Sequence, residues 1–127
     1  MKLILADSNE IIRIGLRTLL STERNIQIVG EARNNEELIA LNKAFDANII
    51  LVDYTSKGFS IDVIPQILQK KPDLSVVAIT PEQSAQTLVN ALRSGVKSYI
   101  KKDCDSSEII DSIRETWRGN KFFCGQI

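Results

Sequence analysis

Residues Asn48 to Gly58, NIILVDYTSKG, run apolar from Ile49 through Val52 and then meet an acid, Asp53. Four consecutive apolar residues of this kind read as a strand buried on both faces, the pattern of a parallel sheet covered by helices. A carboxylate set directly after such a strand needs a reason, and the rest of the chain supplies one.

Outward from that stretch, short apolar runs alternate with longer segments of helical spacing. The runs are Leu3–Ala6, Ile26–Val29, Ile49–Val52, Val76–Ile79 and a weaker Tyr99-Ile100. Between and after them lie Asn9–Leu20, Asn35–Ala44, Ile61–Lys70, Ser84–Ser94 and Ser106–Trp117, with apolar residues three or four apart. In the first helix Ile12, Leu16 and Leu19 share a face, and Ile14 falls off it. Asn34, Ser84 and Asp105-Ser106 sit where caps belong, while Gly95, Gly119 and Pro72 sit where helices stop. Strand-helix alternation of this kind implies right-handed crossovers. The predicted fold is therefore α/β, a flavodoxin-like (βα)5 doubly wound parallel sheet with strand order 2-1-3-4-5, in one domain spanning 1–127.

In such sheets the ligand crevice lies beyond the carboxyl ends of the strands, where the strand order reverses, here between strands one and three. Asp7 ends the first and Asp53 the third. Thr80 closes the fourth with a hydroxyl, and Lys102 follows the fifth with an ammonium. Two carboxylates, a hydroxyl and a cation around one crevice suit a carboxylate nucleophile that accepts a phosphoryl group. A divalent metal on oxygen ligands and the lysine would offset charge on the phosphoryl oxygens. Taken singly, a strand-end acid caps a loop, a threonine suits a strand and a lysine suits a surface; their joint placement carries the reading.

Composition excludes other classes. The 127 residues are 43% hydrophobic and 25% charged, enough to bury a core, and the zero net charge with no basic run lacks the footprint of a nucleic-acid-binding surface. With no histidine in the chain, Ser-His and Cys-His chemistry are excluded. Two late cysteines, Cys104 and Cys124, are too few for a disulfide framework or a zinc site, and a reducing compartment fits best. The amino terminus is too short in apolar residues for a signal peptide, and no run is of membrane length, so a cytoplasmic location without membrane contact is expected.

These residues resemble the receiver domain of a two-component response regulator, over nearly the whole chain. LILADSNEIIRIGLRTLL, IQIVGEARNNEELI, NIILVDYTSKG, VVAIT and GVKSYIKKD match in order and spacing, with Lys102 lying 102 − 80 = 22 positions after Thr80 and Tyr99 three before the lysine. Arg13, Gly15 and Leu16, with the ending GNKFFCGQI, are most similar to receivers of the LuxR/NarL/FixJ transcription regulators. The resemblance implies that Asp53 is the phosphoacceptor in a phosphorelay, Thr80 and Tyr99 the switch pair, and Lys102 the counterion. Asp7, Asp53 and the backbone carbonyl of Thr55 would then be ligands to Mg²⁺. It further implies a sensor histidine kinase as partner, and DNA contact only through an output domain that would follow Ile127; either the chain was cut at a linker, which the ending KFFCGQI favours, or it works as a single domain. Such a domain is a phosphoacceptor rather than an enzyme, with at most slow self-phosphorylation and autodephosphorylation. An exposed Ile14 would permit a homodimer.

Three positions depart from the family pattern: Ser8 stands where a second acid is usual, Lys57 where proline is usual, and Pro81 where a small residue is usual. They keep open a pseudo-receiver that binds partners without phosphorylation. A flavin-binding flavodoxin-like domain would need a hydroxyl- or glycine-rich cradle after strand one, which ADSNEIIRIG lacks. A phosphohydrolase would want an acid two residues after the nucleophile, where Thr55 stands.

Overall fold

The computed structural model describes residues 1–124. Its elements alternate as expected: β1 (Lys2–Ala6), α1 (Glu10–Leu20), β2 (Gln27–Ala32), α2 (Asn35–Ala44), β3 (Ile49–Val52), α3 (Val63–Lys70), β4 (Ser75–Thr80), α4 (Ala85–Ser94), β5 (Ser98–Lys101), α5 (Ser106–Trp117) and β6 (Phe123–Cys124). All strands pair in parallel in the order β2-β1-β3-β4-β5-β6. The order 2-1-3-4-5 is thus present, extended by a sixth edge strand that the sequence reading did not anticipate.

Period-two alternation divides each inner strand between two cores. Leu3, Leu5, Ile49, Leu51 and Val77 pack with Leu16, Leu20, Ile109 and Ile113, so α1 and α5 cover one face. Ile4, Ile50, Val52 and Val76 pack with Leu38, Val63, Ile64, Ile67 and Ala91, so α2, α3 and α4 cover the other. The Ile49–Val52 run is buried throughout, and each such side chain contributes roughly 1.5–3 kcal/mol of transfer free energy.

Local signals set the helix ends. Asn34 and Ser84 accept from the amides of Glu37 and Thr87 as N-caps, and Glu108 reaches back to the Asp105 amide in a capping box. Gly95 ends α4 at φ 112°, where a Cβ would strike Leu68, so α4 stops there for want of any other residue that fits. The third helix begins at Val63 rather than Ile61, because Ser60 and Ile61 accept from Val63 and Ile64 in tight turns first. Pro65 then falls in the opening turn, where its missing N–H costs nothing.

The two cysteines are joined by a disulfide, against the expectation that they stand apart from such chemistry. The reason is β6, which carries Cys124 alongside β5 and so to the loop that holds Cys104. Among the described residues no helix is long and apolar enough to cross a membrane. The last part of the GNKFFCGQI ending, residues 125–127, lies outside the described residues.

Candidate phosphoacceptor site

Strand ends deliver the site. β1 and β3 are neighbours in register, Ala6 beside Val52, so the next residue of each, Asp7 and Asp53, emerges side by side at the rim. Both are almost fully buried, at 1% exposure, and an unpartnered charge there would be costly. The partner is Lys102, whose Nζ lies 2.8 Å from Asp7 Oδ2 and 2.6 Å from Asp53 Oδ2. Its backbone amide donates to the Thr80 carbonyl at 2.8 Å, which fixes the lysine to the end of β4. Burial alone would lower the ammonium's pKa, but hydrogen bonds to Asp53 and Asp7 outweigh it and hold the pKa raised.

The remaining carboxylate oxygens are oriented locally. Asp7 Oδ1 accepts from the Asn9 amide at 2.8 Å, while the Asp7 carbonyl accepts from Arg13 Nη1 at 2.7 Å. Asp53 Oδ1 accepts from the amide and hydroxyl of Thr55, at 2.8 and 2.5 Å. Ser56 ties the two loops together: its hydroxyl donates to the Asp53 carbonyl at 2.9 Å and accepts from the Ser8 amide at 3.2 Å. Ser56 was not singled out in the sequence, and Arg13 was noted there only for its pattern with Gly15 and Leu16, not as a site residue; a serine three positions after the strand-end acid is the one signal that marks Ser56.

Whether these residues fit a magnesium ion can be judged from their donors. Asp7 Oδ2 is buried and, apart from the Lys102 ammonium, has no polar partner among the described residues, and Asp53 Oδ2 faces the same nitrogen. Two adjacent buried carboxylates are the hard oxygen donors that a Mg²⁺ ion with waters completing its shell takes, so the donor set fits.

Response regulator receiver domains match residues 3–114. The chain belongs to that family. The receiver is 32% identical over 124 residues to the response regulator protein VraR of Staphylococcus aureus, covering 97% of this chain but 59% of the relative. It is 31% identical to VraR of Staphylococcus epidermidis, with the same coverage. The chain thus spans about three-fifths of the curated relatives it matches. Among solved structures it resembles a LuxR-family two-component response regulator from Aurantimonas sp., with a TM-score of 0.90, 24% identity, and 95% of this chain against 87% of that one. The isolated receiver domain of RcsB from Salmonella enterica serovar Typhimurium, in the presence of the phosphomimetic BeF3⁻, gives 0.89 at 24% identity, covering 97% and 92%. These neighbours establish the fold.

Thr80 and Tyr99, expected from the sequence to act together, are hydrogen-bonded to each other and not to the acids. The Thr80 hydroxyl donates to the Pro81 carbonyl at 2.7 Å and meets the Tyr99 hydroxyl, while Tyr99 is wholly buried. Thr80 therefore belongs to the crevice by position, yet its hydroxyl points at the aromatic rather than at Asp53. Tyr54 was overlooked in the sequence. It is 5% exposed, packs in the same core as Tyr99, and its hydroxyl is buried without a hydrogen-bond partner of good geometry. Burial, then the proximity of Tyr99 and of Asp53, pushes the Tyr54 phenol well above its ordinary range. Burial likewise pushes Tyr99 up, offset in part by its hydrogen bond to Thr80 and by the nearby Tyr54 hydroxyl.

Of the departures from the family pattern, Lys57 is exposed and makes no ion pair among the described residues, which favours its reading as a solvated loop cation. Ser8 is half-buried beside Asp7, and Glu10 is exposed on the first turn of α1. Pro81 offers its carbonyl to Thr80 and so holds the hydroxyl in its present orientation.

Proposed function

We propose that the chain is a phosphoacceptor of a phosphorelay: Asp53 takes a phosphoryl group from the phosphohistidine of a sensor kinase, or from a small acyl phosphate. The reading is carried by the convergence of Asp7, Asp53 and Lys102 on one rim position. In the transfer a carboxylate oxygen of Asp53 attacks phosphorus, the bond from phosphorus to the donor's imidazole nitrogen breaks, and the imidazole leaves with that electron pair. Asp7, Asp53 and the Thr55 carbonyl would hold Mg²⁺, which supplies charge neutralisation for the phosphoryl oxygens.

The chain's own residues do the rest. Lys102 keeps one ammonium beside the new acyl phosphate, since its raised pKa leaves it charged at neutral pH. Thr55 and Ser56 hold the Asp53 backbone and Oδ1 against rotation. Thr80 has to leave the Pro81 carbonyl to reach a phosphoryl oxygen, and that move also ends its bond with Tyr99. The two changes couple the site to β4, β5 and the face beside α4, a two-state element of the kind that phosphorylation biases.

In this reading the domain is cytoplasmic and acts as a phosphoacceptor, not as a turnover enzyme, and its output is transcriptional through a DNA-binding domain outside this sequence. Mass spectrometry of the chain after acetyl phosphate and Mg²⁺ tests it. A gain of one phosphoryl group that disappears in Asp53→Asn and without Mg²⁺ is expected. No gain, or a gain that survives Asp53→Asn, refutes it and leaves a binding module.

A further inference from the structure

Cys104 is the last residue before the N-cap of α5, two positions beyond Lys102. Cys124 lies in β6, opposite Ile100 of β5. The bond between them closes a loop of sequence separation 20 that contains all of α5. β6 itself is two residues long. Its attachment otherwise rests on the ladder with β5, on the Tyr99 amide donating to the Phe122 carbonyl at 2.9 Å, and on the Phe122 amide donating to the Ser98 hydroxyl at 3.0 Å. A two-residue edge strand near a chain end is the kind of element that frays when nothing else holds it. The covalent tie therefore decides how firmly β6 is held, and β6 covers the outer edge of the strand that carries Tyr99 and leads into Lys102.

The surroundings of the two sulfurs suit exchange. Cys104 is half-buried and Cys124 is buried at 5% exposure, so an external thiolate reaches the first and not the second. The N-terminus of α5 beside Cys104 favours its thiolate. Cys124 Sγ lies 2.8 Å from Glu108 Oε2, which places an acceptor for the thiol that reduction creates. Outside hyperthermophiles, a pair of this kind in a reducing compartment is a transient, redox-responsive bond rather than a permanent staple.

We propose that Cys104 and Cys124 form a reversible thiol–disulfide site, exchanging with small-molecule dithiols and disulfides, whose oxidised form fastens β6 to β5 and whose reduced form releases it. In reduction a thiolate of the dithiol attacks Cys104 Sγ, the protein S–S bond breaks, and the electron pair leaves on Cys124 sulfur, which takes a proton. The second thiol of the dithiol, as thiolate, then attacks its own sulfur in the mixed disulfide and expels Cys104 thiolate, which is protonated in turn. Two electrons and two protons pass to the protein, and the dithiol becomes a disulfide. Oxidation by a small disulfide is the reverse. The site is independent of phosphoryl transfer: it stands on the geometry of β6, and its readouts need neither Mg²⁺ nor phosphate.

The experiment equilibrates the purified chain in reduced and oxidised glutathione mixtures, or in dithiothreitol, traps free thiols by alkylation and counts them by mass. Hydrogen exchange of the Tyr99 amide is followed in parallel. The expected result is a joint two-electron conversion, zero or two free thiols with a minor glutathione adduct. Exchange at Tyr99 is expected to rise by roughly tenfold or more on reduction and to return on reoxidation. Cys104→Ser and Cys124→Ser should each show the fast exchange under all conditions, and the wild-type titration decides the matter if either variant folds poorly. Independent alkylation of the two cysteines overturns the proposal, as does an exchange rate at Tyr99 that ignores reduction. Recovery of slow exchange by Zn²⁺ added to the reduced chain also overturns it, since Cys104, Glu108 and Cys124 would then be a metal site.

Discussion

Lys102→Met removes the ammonium that stands 2.8 and 2.6 Å from two carboxylates of 1% exposure, while keeping a side chain of similar reach. Stripping the partner from a buried charge costs about 3–5 kcal/mol when the group removed is itself buried. Lys102 is 21% exposed at its side chain, so water already screens part of the interaction, and the expected loss is nearer 2–3 kcal/mol. With an unfolding entropy of about 2.1 cal/mol/K per residue, a domain of 127 residues loses about 9 °C of melting temperature for that change. Urea unfolding of the metal-free chain, read by circular dichroism, gives the free energy directly.

Two further arms identify the cause of that loss. Mg²⁺ should recover most of it in the variant and shift the wild type less, because metal and ammonium answer the same two carboxylates. The wild type's stability from this contact has a sign fixed by the raised lysine pKa. It is fully present below the ordinary lysine value of 10.5 and is lost as pH rises through the higher folded value. The variant's deficit should therefore close in alkali, as the wild type's ammonium loses its charge. A variant as stable as the wild type without Mg²⁺ at neutral pH, or an equal response of both to Mg²⁺, refutes the assignment of Lys102 as the neutralising group of this site.

Ser8→Asp restores a second acid beside Asp7 on a half-buried residue, and should tighten Mg²⁺ binding on the order of 10-fold or more while lowering metal-free stability slightly. Isothermal titration with Mg²⁺ checks it, and an unchanged affinity means that the serine already holds the metal's water shell well enough. Ile11 and Ile14 are 78% and 43% exposed on α1, so we expect self-association through this helix that strengthens with a phosphoryl mimic. Ile14→Lys should abolish it in sedimentation velocity, and a wild type that remains monomeric at high concentration removes the prediction.

The sheet order and the three charged groups of the site were legible in the sequence for one physical reason. Side-chain period and strand-end position are local properties, and the parallel topology converts local position into spatial neighbourhood. Asp7, Asp53 and Lys102 needed only to be recognised as residues following strands for the fold to bring them together, and it does so within hydrogen-bonding distance. Asn34, Ser84, Gly95 and Asp105 were legible in the same way, since a cap acts within one helical turn.

What escaped the sequence depends on contacts with no local period. Tyr54 read as a loop residue just after a strand, yet it is buried in the same core as Tyr99, and nothing in its neighbours announces that. The pairing of Cys104 with Cys124 requires knowing that KFFC turns back along β5 as a strand, and a two-residue strand leaves no periodicity to read. The orientation of Thr80 is the most consequential of these. Its position predicts a hydroxyl at the crevice, whereas its rotamer is set by the Pro81 carbonyl and by Tyr99. Those two contacts stabilise the arrangement without a phosphoryl group by about 0.5–1.5 kcal/mol each. A charge-assisted bond from the same hydroxyl to a phosphoryl oxygen has a comparable or greater strength, about 1.5–3 kcal/mol. The margin between the two orientations is therefore small, as a switch that one covalent modification is to reverse requires.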